Sequence, residues 1–240
     1  FVARGANLAA IQAQGMQLQM DNAEVLHARD VRACSIEQAG PQDYVFLTMK
    51  SHQVAPVATQ IHGMYHDQTA VVTMQNGVPW WYFHGLPGVQ ARQLDSVDPE
   101  GTLWQHIGPD RVIGSVVYPA AELIAPGVVK LIEGNRFTLG EPNGEKSERI
   151  TTLAQAMIAA GFKTPVSSDI RSELWVKLWG NLTFNPVSAL THATLEDICT
   201  FAPTRDLAAG MMTEAQRVGE KLGVQFKVSI DKRIAGAQAI

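Results

Sequence analysis

Apolar positions along this chain follow one period and then another. In the first part they come as short, nearly continuous runs. Tyr44-Val45-Phe46-Leu47-Thr48-Met49 and Thr69-Ala70-Val71-Val72-Thr73-Met74 are the clearest. Runs of this length, rich in β-branched residues, predict strands of a parallel sheet buried on both faces. Residues 51–64, with Val54, Val57 and Ile61, predict a helical crossover between them, which makes a right-handed βαβ unit. Ahead of it, Phe1-Val2-Ala3 reads as the end of a buried strand. Residues 6–14 read as a short helix stopped by Gly15, and residues 16–20 as an edge strand. Later, residues 112–118, 128–132 and 137–140 predict short antiparallel strands added to the sheet, with Pro126-Gly127 and Gly134-Asn135 as turn signals. Residues 145–160 predict a helix closed by Gly161, and residues 162–166 a last strand.

From residue 168 the period becomes helical and stays so. Ile170, Leu174, Leu178 and Leu182 recur every four residues, with Trp175 and Trp179 beside them, behind Ser168 or Asp169 as N-cap. Pro186 predicts a kink or restart of that helix. Residues 194–200 read as a turn region. Residues 203–222 predict a helix with Leu207, Met211, Met212, Ala215, Val218 and Leu222 on one face, stopped at Gly223. The chain thus divides into an α/β segment, residues 1–167, and an all-α segment, residues 168–240.

One polar line interrupts the apolar helix. Lys177, Asn181 and Asn185 are spaced by four and stack on one face. Burying an ammonium without a partner is expensive, so Lys177 needs a reason. It either snorkels to water along the helix or, with the two amides, orients a small polar substrate. In open parallel sheets, ligands bind outside the carboxyl ends of the strands. Two such ends carry a polar residue and a turn, Lys50-Ser51 and Asn76-Gly77, although Asn-Gly also serves as a plain turn.

Bulk properties narrow the classes. The net charge is −4, from 19 basic and 23 acidic residues, with no basic block for nucleic acid and no apolar run of membrane-spanning length. Cys34 and Cys199 read as packing residues in a reducing cytoplasm. His62 and His66 are four apart, but Gly63 weakens their helix and no third ligand is marked, so no metal is expected. The run Trp80-Trp81-Tyr82-Phe83 could stack a flat ligand, and is expected rather to cover a cleft or a partner surface. The face of residues 203–222 asks for a cover, which a homodimer would supply. Both ends read as cut, so a fragment is expected.

Thr48-Met49-Lys50, Asn76-Gly77-Val78 and the set Arg171, Leu174, Trp175, Lys177, Leu178, Asn181, Asn185 and Pro186 together resemble the ketopantoate reductase family, the 2-dehydropantoate 2-reductases. The resemblance runs from Arg4 to the end of the chain. It implies an N-terminal Rossmann-type domain that binds NADP (residues 1–167), a helical substrate domain (residues 168–240), and NADPH-dependent reduction of a 2-oxo acid to a 2-hydroxy acid. By position it makes Lys177 the catalytic lysine and Asn181, Asn185 and Asn76 substrate contacts. Asn76 also lies at the nicotinamide end, Lys50 near the cofactor, and Arg4 where an arginine can hold the 2′-phosphate of NADP. The family's Gly-rich phosphate loop would precede Arg4, and a later segment with an acidic residue and a serine would follow Ile240. Bulky aromatics after Asn76 depart from the family pattern and keep a reductase of another 2-oxo acid in view. A non-catalytic dinucleotide-binding protein is the reading from a different class.

Overall fold

Val71 and Val72 have no accessible surface, and the strand that carries them organises the first part of the molecule. The computed structural model describes residues 1–238. Its contacts divide the chain into two compact units, residues 1–75 with 80–168, and residues 76–79 with 169–240.

The first unit holds two four-stranded sheets. One has the order β3-β4-β5-β8, with β3 (Tyr44–Leu47), β4 (Ala70–Thr73) and β5 (Val112–Val117) parallel and β8 (Phe137–Gly140) antiparallel to β5. α3 (Glu148–Ala159) covers it, and Ile150, Leu153 and Ala154 pack on Ala70, Val72, Ile113 and Leu139. The other sheet has the order β2-β1-β7-β6. In it β1 (Met16–Gln19) and β7 (Val128–Glu133) are parallel, while β2 (Val25–Ala28) and β6 (Ala120–Ala125) are hairpin partners on the outside. α1 (Gly5–Gln14) enters β1 through Gly15, whose φ is +76°. A Cβ there would sit 2.2 Å from the Ala28 carbonyl oxygen, so only glycine makes this turn.

A buried ion pair fastens the first unit. Glu141, 4% exposed, accepts from Arg149 Nε at 2.8 Å and Nη2 at 2.6 Å. Ser147 Oγ donates to the same carboxylate at 2.5 Å, and Ser147 also caps α3. Arg149 donates further to the carbonyls of Asp110 and Val112, at the start of β5, and its own carbonyl accepts from Tyr44 of β3. One guanidinium thus ties the end of β8 to the starts of β5 and α3. Its hydrogen bond to Glu141 holds its pKa above the usual arginine value.

Several expectations change in this unit. β1 is no edge strand, because β2 and β7 flank it. Residues 51–64 form three short 3-10 turns, Ser51–Gln53, Ala55–Val57 and Gln60–Met64, rather than one helix. Pro56 and Gly63 explain the break, one lacking an N–H and the other weakening any helix. β5 runs parallel to β4, and β7 joins the second sheet. β2 and β6 went unread because their residues are almost all exposed and carry no buried alternation. Residues 162–166 make isolated bridges, Arg136 to Lys163 and Leu139 to Val166, and no strand.

The second unit is all helix: α4 (Ile170–Thr191), α5 (Leu195–Thr200), α6 (Ala202–Lys221) and α7 (Ile230–Gln238). Asp169 is the N-cap of α4, accepting from Ser172 N at 3.1 Å. Trp179, Phe184 and Val187 of α4 share a core with Ile198, Cys199, Ala208, Met212, Ile234 and Ala237. The Trp179 indole donates to the Met212 carbonyl at 3.1 Å, and Phe226 stacks on Trp179 at 4.6 Å. Gly219 makes room for Phe226, since a Cβ would meet its ring at 2.9 Å. α4 runs unbroken through Pro186, contrary to the expected restart. The proline removes one ladder bond, but Phe184 and Val187 bury into the same core as Trp179 and hold both halves together. Residues 195–200 are a helix where a turn was expected. α6 buries Ala208, Met212 and Gly219, while Leu207 and Val218, expected on its inner face, are each 53% exposed. No helix among the described residues is long and apolar enough to cross a membrane.

Arg149→Ala strands the Glu141 carboxylate in the interior. Removing one partner of a buried pair destabilises by about 3–5 kcal/mol. Urea unfolding should show that loss, and a change below 1 kcal/mol would dismiss the pair as the fastening of this unit.

Candidate active site

α4 presents the polar line at three successive turns. Lys177 and Asn181 are half-buried and Asn185 is exposed. The gradient follows the helix, since the neighbouring stripe through Leu174, Trp175 and Trp179 is buried. Lys177 has its pKa lowered from 10.5, first by burial and then by the positive charge of Arg233. Both effects penalise the ammonium, so its proton is more readily given up than that of a solvated lysine.

Arg233, from α7, is the charge that sequence reading missed. Its Nη2 lies 2.7 Å from where a Cβ on Gly180 would stand, and its guanidinium is 5.9 Å from the Phe184 ring centroid. Gly180 and Phe184 follow Lys177 by three and seven residues, so they share its side of the helix. A glycine in mid-helix was the available signal, because that residue costs about 1 kcal/mol there unless something approaches closely.

The strand ends are held by side chains. Gln75 Nε2 donates to the carbonyls of Leu47 at 2.6 Å and Met49 at 3.0 Å, which ties the chain after β4 to the chain after β3. Lys50 follows directly, exposed, with its backbone N–H on Gln53 Oε1 at 3.1 Å. Asn76 is exposed and precedes Gly77, whose φ is +93°. Residues 76–79 group with the helical unit, so Asn76 belongs to the same compact body as Lys177, Asn181 and Asn185. Arg4 and Lys50 belong to the first unit. Arg4 is exposed at the N-terminus of α1, a helix with no acidic residue in its first turn.

The aromatic run is structural. Trp80, Trp81, Tyr82 and Phe83 are all buried. Trp81 Nε1 donates to Thr73 Oγ1 of β4 at 2.9 Å, Trp80 meets Trp104 edge-on, and Arg92 lies 4.2 Å over Phe83. These contacts fasten the run to the first unit. Among the described residues no group of three His, Cys, Asp or Glu could hold a metal ion. His66 pairs with Asp43 at 3.1 Å, and His62 meets the His106 carbonyl.

Comparison with known proteins is specific. Residues 1–144 match the family model described as ketopantoate reductase PanE/ApbA, and residues 169–238 match its C-terminal model. A 2-dehydropantoate 2-reductase of Mesorhizobium japonicum is 57% identical over 99% of this chain, which spans 73% of that protein. A crystal structure of a candidate ketopantoate reductase from Ralstonia solanacearum MolK2 superposes with a TM-score of 0.93 at 35% identity, over 99% of this chain and 74% of its own. A 2-dehydropantoate 2-reductase from Geobacter metallireducens GS-15 shares the fold, with a TM-score of 0.83 at 23% identity over 100% of this chain and 74% of its own.

The lowered Lys177 pKa has a direct test. An NMR titration of lysine side chains, with Lys177 identified by its loss in Lys177→Arg, should give a midpoint below 10.5. Between that midpoint and the unfolded value the folded state binds fewer protons than the unfolded state. Its contribution therefore makes stability rise with pH across that window. A midpoint at or above 10.5 would remove the burial argument.

Proposed function

Because this chain belongs to the ketopantoate reductase PanE/ApbA family, we propose that it reduces 2-dehydropantoate to pantoate with NADPH, a step of pantothenate biosynthesis. The observation that carries this is the 57% identity, over nearly the whole chain, to a 2-dehydropantoate 2-reductase. On this reading residues 1–167 bind the cofactor and residues 168–240 bind the substrate and supply the acid.

The first unit fits a phosphorylated dinucleotide. Arg4 is exposed at the N-terminus of a ten-residue helix, next to Gly5 with φ +58° and open space around it. Unpaired N–H groups there attract phosphate, and Arg4 adds the charge that a 2′-phosphate needs. Lys50, at the carboxyl end of β3, supplies a second cation toward the cofactor. The bound nicotinamide supplies a hydride to the substrate carbonyl carbon.

Protein groups manage the charge that results. As negative charge grows on the carbonyl oxygen, the Lys177 ammonium donates its hydrogen bond and then its proton to that oxygen. The neutral amine left behind takes a proton from solvent before the next turnover. A lowered pKa suits a general acid, provided the group stays charged at working pH. Asn181, one turn on, and Asn76 orient ketone and ammonium in line, and Asn185 contacts the substrate at the exposed end of the row. The bulky aromatics that follow Asn76 keep a reductase of another 2-oxo acid as the alternative, which the substrate panel below decides. A nicotinamide-linked biosynthetic step of this kind belongs to the cytoplasm. A homodimer through the exposed Leu207 and Val218 of α6 belongs to the same proposal, and the mass of the protein in solution decides it.

The deciding assay is NADPH oxidation by the full-length protein with 2-dehydropantoate and a panel of 2-oxo acids. Saturable turnover of 2-dehydropantoate above the others is expected. NADPH binding without turnover of any of them would leave a dinucleotide-binding protein. Lys177→Ala should lower kcat by about 100-fold or more, the scale of general acid catalysis. Arg4→Ala should erase a preference for NADPH over NADH while sparing turnover with NADH. A variant that keeps the parent's preference would exclude Arg4 from the phosphate site.

A further inference from the structure

We propose that Arg233 is the specificity-determining residue that anchors the substrate carboxylate, its guanidinium laid over Gly180 on the Lys177 side of α4. The inference rests on the reductase reading above and adds to it a residue that the polar line of α4 does not contain.

The position of Arg233 is imposed by the fold. Ile234 and Ala237 are 0% and 1% exposed and lock α7 into the core that holds Trp179 and Phe184. Ser229 caps the helix, accepting from Lys232 N at 3.2 Å. Asp231 pairs with Arg205 of α6 at 3.3 Å, which pins the first turn. With its neighbours committed, Arg233 reaches across α4. A methyl group at position 180 would lie 2.7 Å from Nη2, so Gly180 opens the place where the guanidinium rests. The Phe184 ring, 5.9 Å from the guanidinium carbon, gives the planar group an aromatic neighbour.

A guanidinium in this place has a chemical use. A 2-oxo acid carries its carboxylate one bond from the ketone. Lys177 serves the ketone oxygen, so the carboxylate needs a cation beside Lys177 and not far along the helix. Gly180 is three residues on, about 5 Å along the helix axis. Arginine matches a carboxylate with two parallel N–H bonds, which a lysine cannot do. Among the described residues Arg233 has no carboxylate within ion-pair distance, and the nearby Asp231 belongs to Arg205. Burial first, and then the Arg233 guanidinium, lower the Lys177 pKa, so an anion bound at Arg233 would relieve the second of these effects.

The test uses the full-length enzyme and compares Arg233→Ala, Arg233→Lys and Gly180→Ala with the parent. KM for 2-dehydropantoate and for NADPH are measured, with inhibition by pantoate and by its neutral primary amide. Arg233→Ala should raise KM for 2-dehydropantoate by about 10- to 100-fold, the worth of a charge-assisted pair, and leave KM for NADPH within about two-fold. The parent should bind pantoate more tightly than the amide, and Arg233→Ala should bind the two equally. Arg233→Lys should recover part of the loss. Gly180→Ala, which keeps every charge, should reproduce the rise in KM by displacing the guanidinium. Should Arg233→Ala fail to fold, Gly180→Ala and Arg233→Lys carry the decision. An unchanged KM for the acid, or equal losses on pantoate and its amide, would overturn the anchor while the reductase reading stands. A parent that turns over no 2-oxo acid would instead overturn that reading and the anchor with it.

Discussion

An ammonium on a helix that is otherwise buried is the constraint around which the second unit is built. α4 must hide Trp175, Trp179, Phe184 and Val187 and still leave Lys177 half in water. Burying all sides would neutralise the lysine, and exposing all sides would give up the core. The helices resolve this by covering α4 unevenly, burying Gly180 and Phe184 while Lys177 and Asn181 stay half-buried and Asn185 is exposed. α5, α6 and α7 bring Ile198, Met212 and Ile234 against Trp179 and Phe184. What reaches the polar side is a cation, Arg233, and it fits because residue 180 has no side chain. The same packing that stabilises the bundle therefore sets the charge around Lys177.

In the first unit the equivalent problem is holding strand ends open without letting them fray. A parallel sheet leaves the carboxyl ends of β3 and β4 with carbonyls that no further strand receives. Gln75 satisfies that of Met49 and adds a second bond to that of Leu47, which already accepts from Met74 N, and Trp81 fixes Thr73 on β4. Lys50 and Asn76 thus leave the sheet from a stiff frame, although neither sits in regular structure. At the opposite end, Arg149 and Glu141 close the sheet onto α3. Chemistry and fastening are kept on different edges, so the carboxyl ends are free of the buried carboxylate that the fastening requires.

The parts legible in the sequence were those with a period. The apolar run around Val72 and the four-residue repeat of α4 were read correctly because burial imposes its own spacing. The run around Val45 is a strand as expected but lies at the end of its sheet, with Phe46 40% exposed instead of buried. β2 and β6 escaped because exposed strands carry no such pattern. Residues 51–64 have helical spacing, and Pro56 and Gly63 override it. Pro186 failed in the other direction, where core contacts on both sides of it outweigh a lost backbone bond. The Lys177 row was visible because helix geometry alone aligns its members. Arg233 was not, since 56 residues separate it from Lys177 and only tertiary packing joins them. Gly180, an ill-suited residue inside a strong helix, was the local trace of that contact.

The balance of charge supports the placement of these groups. The chain is acidic overall, at −4, while NADPH and a 2-oxo acid are both anions. Net charge acts weakly here, because salt screens charges beyond about 8–10 Å. What decides is the local field, to which the first unit brings Arg4 and Lys50 and the second Lys177 and Arg233 as proposed site cations. Within this set Lys177 and Arg233 oppose one another. Before substrate binds, the guanidinium makes the ammonium more acidic. Once a carboxylate neutralises the guanidinium, that repulsion fades and Lys177 holds its proton more firmly. On the proposed reading Lys177 is then charged in the complex where its proton is needed, and developing charge on the carbonyl oxygen, rather than bulk water, would draw the proton away.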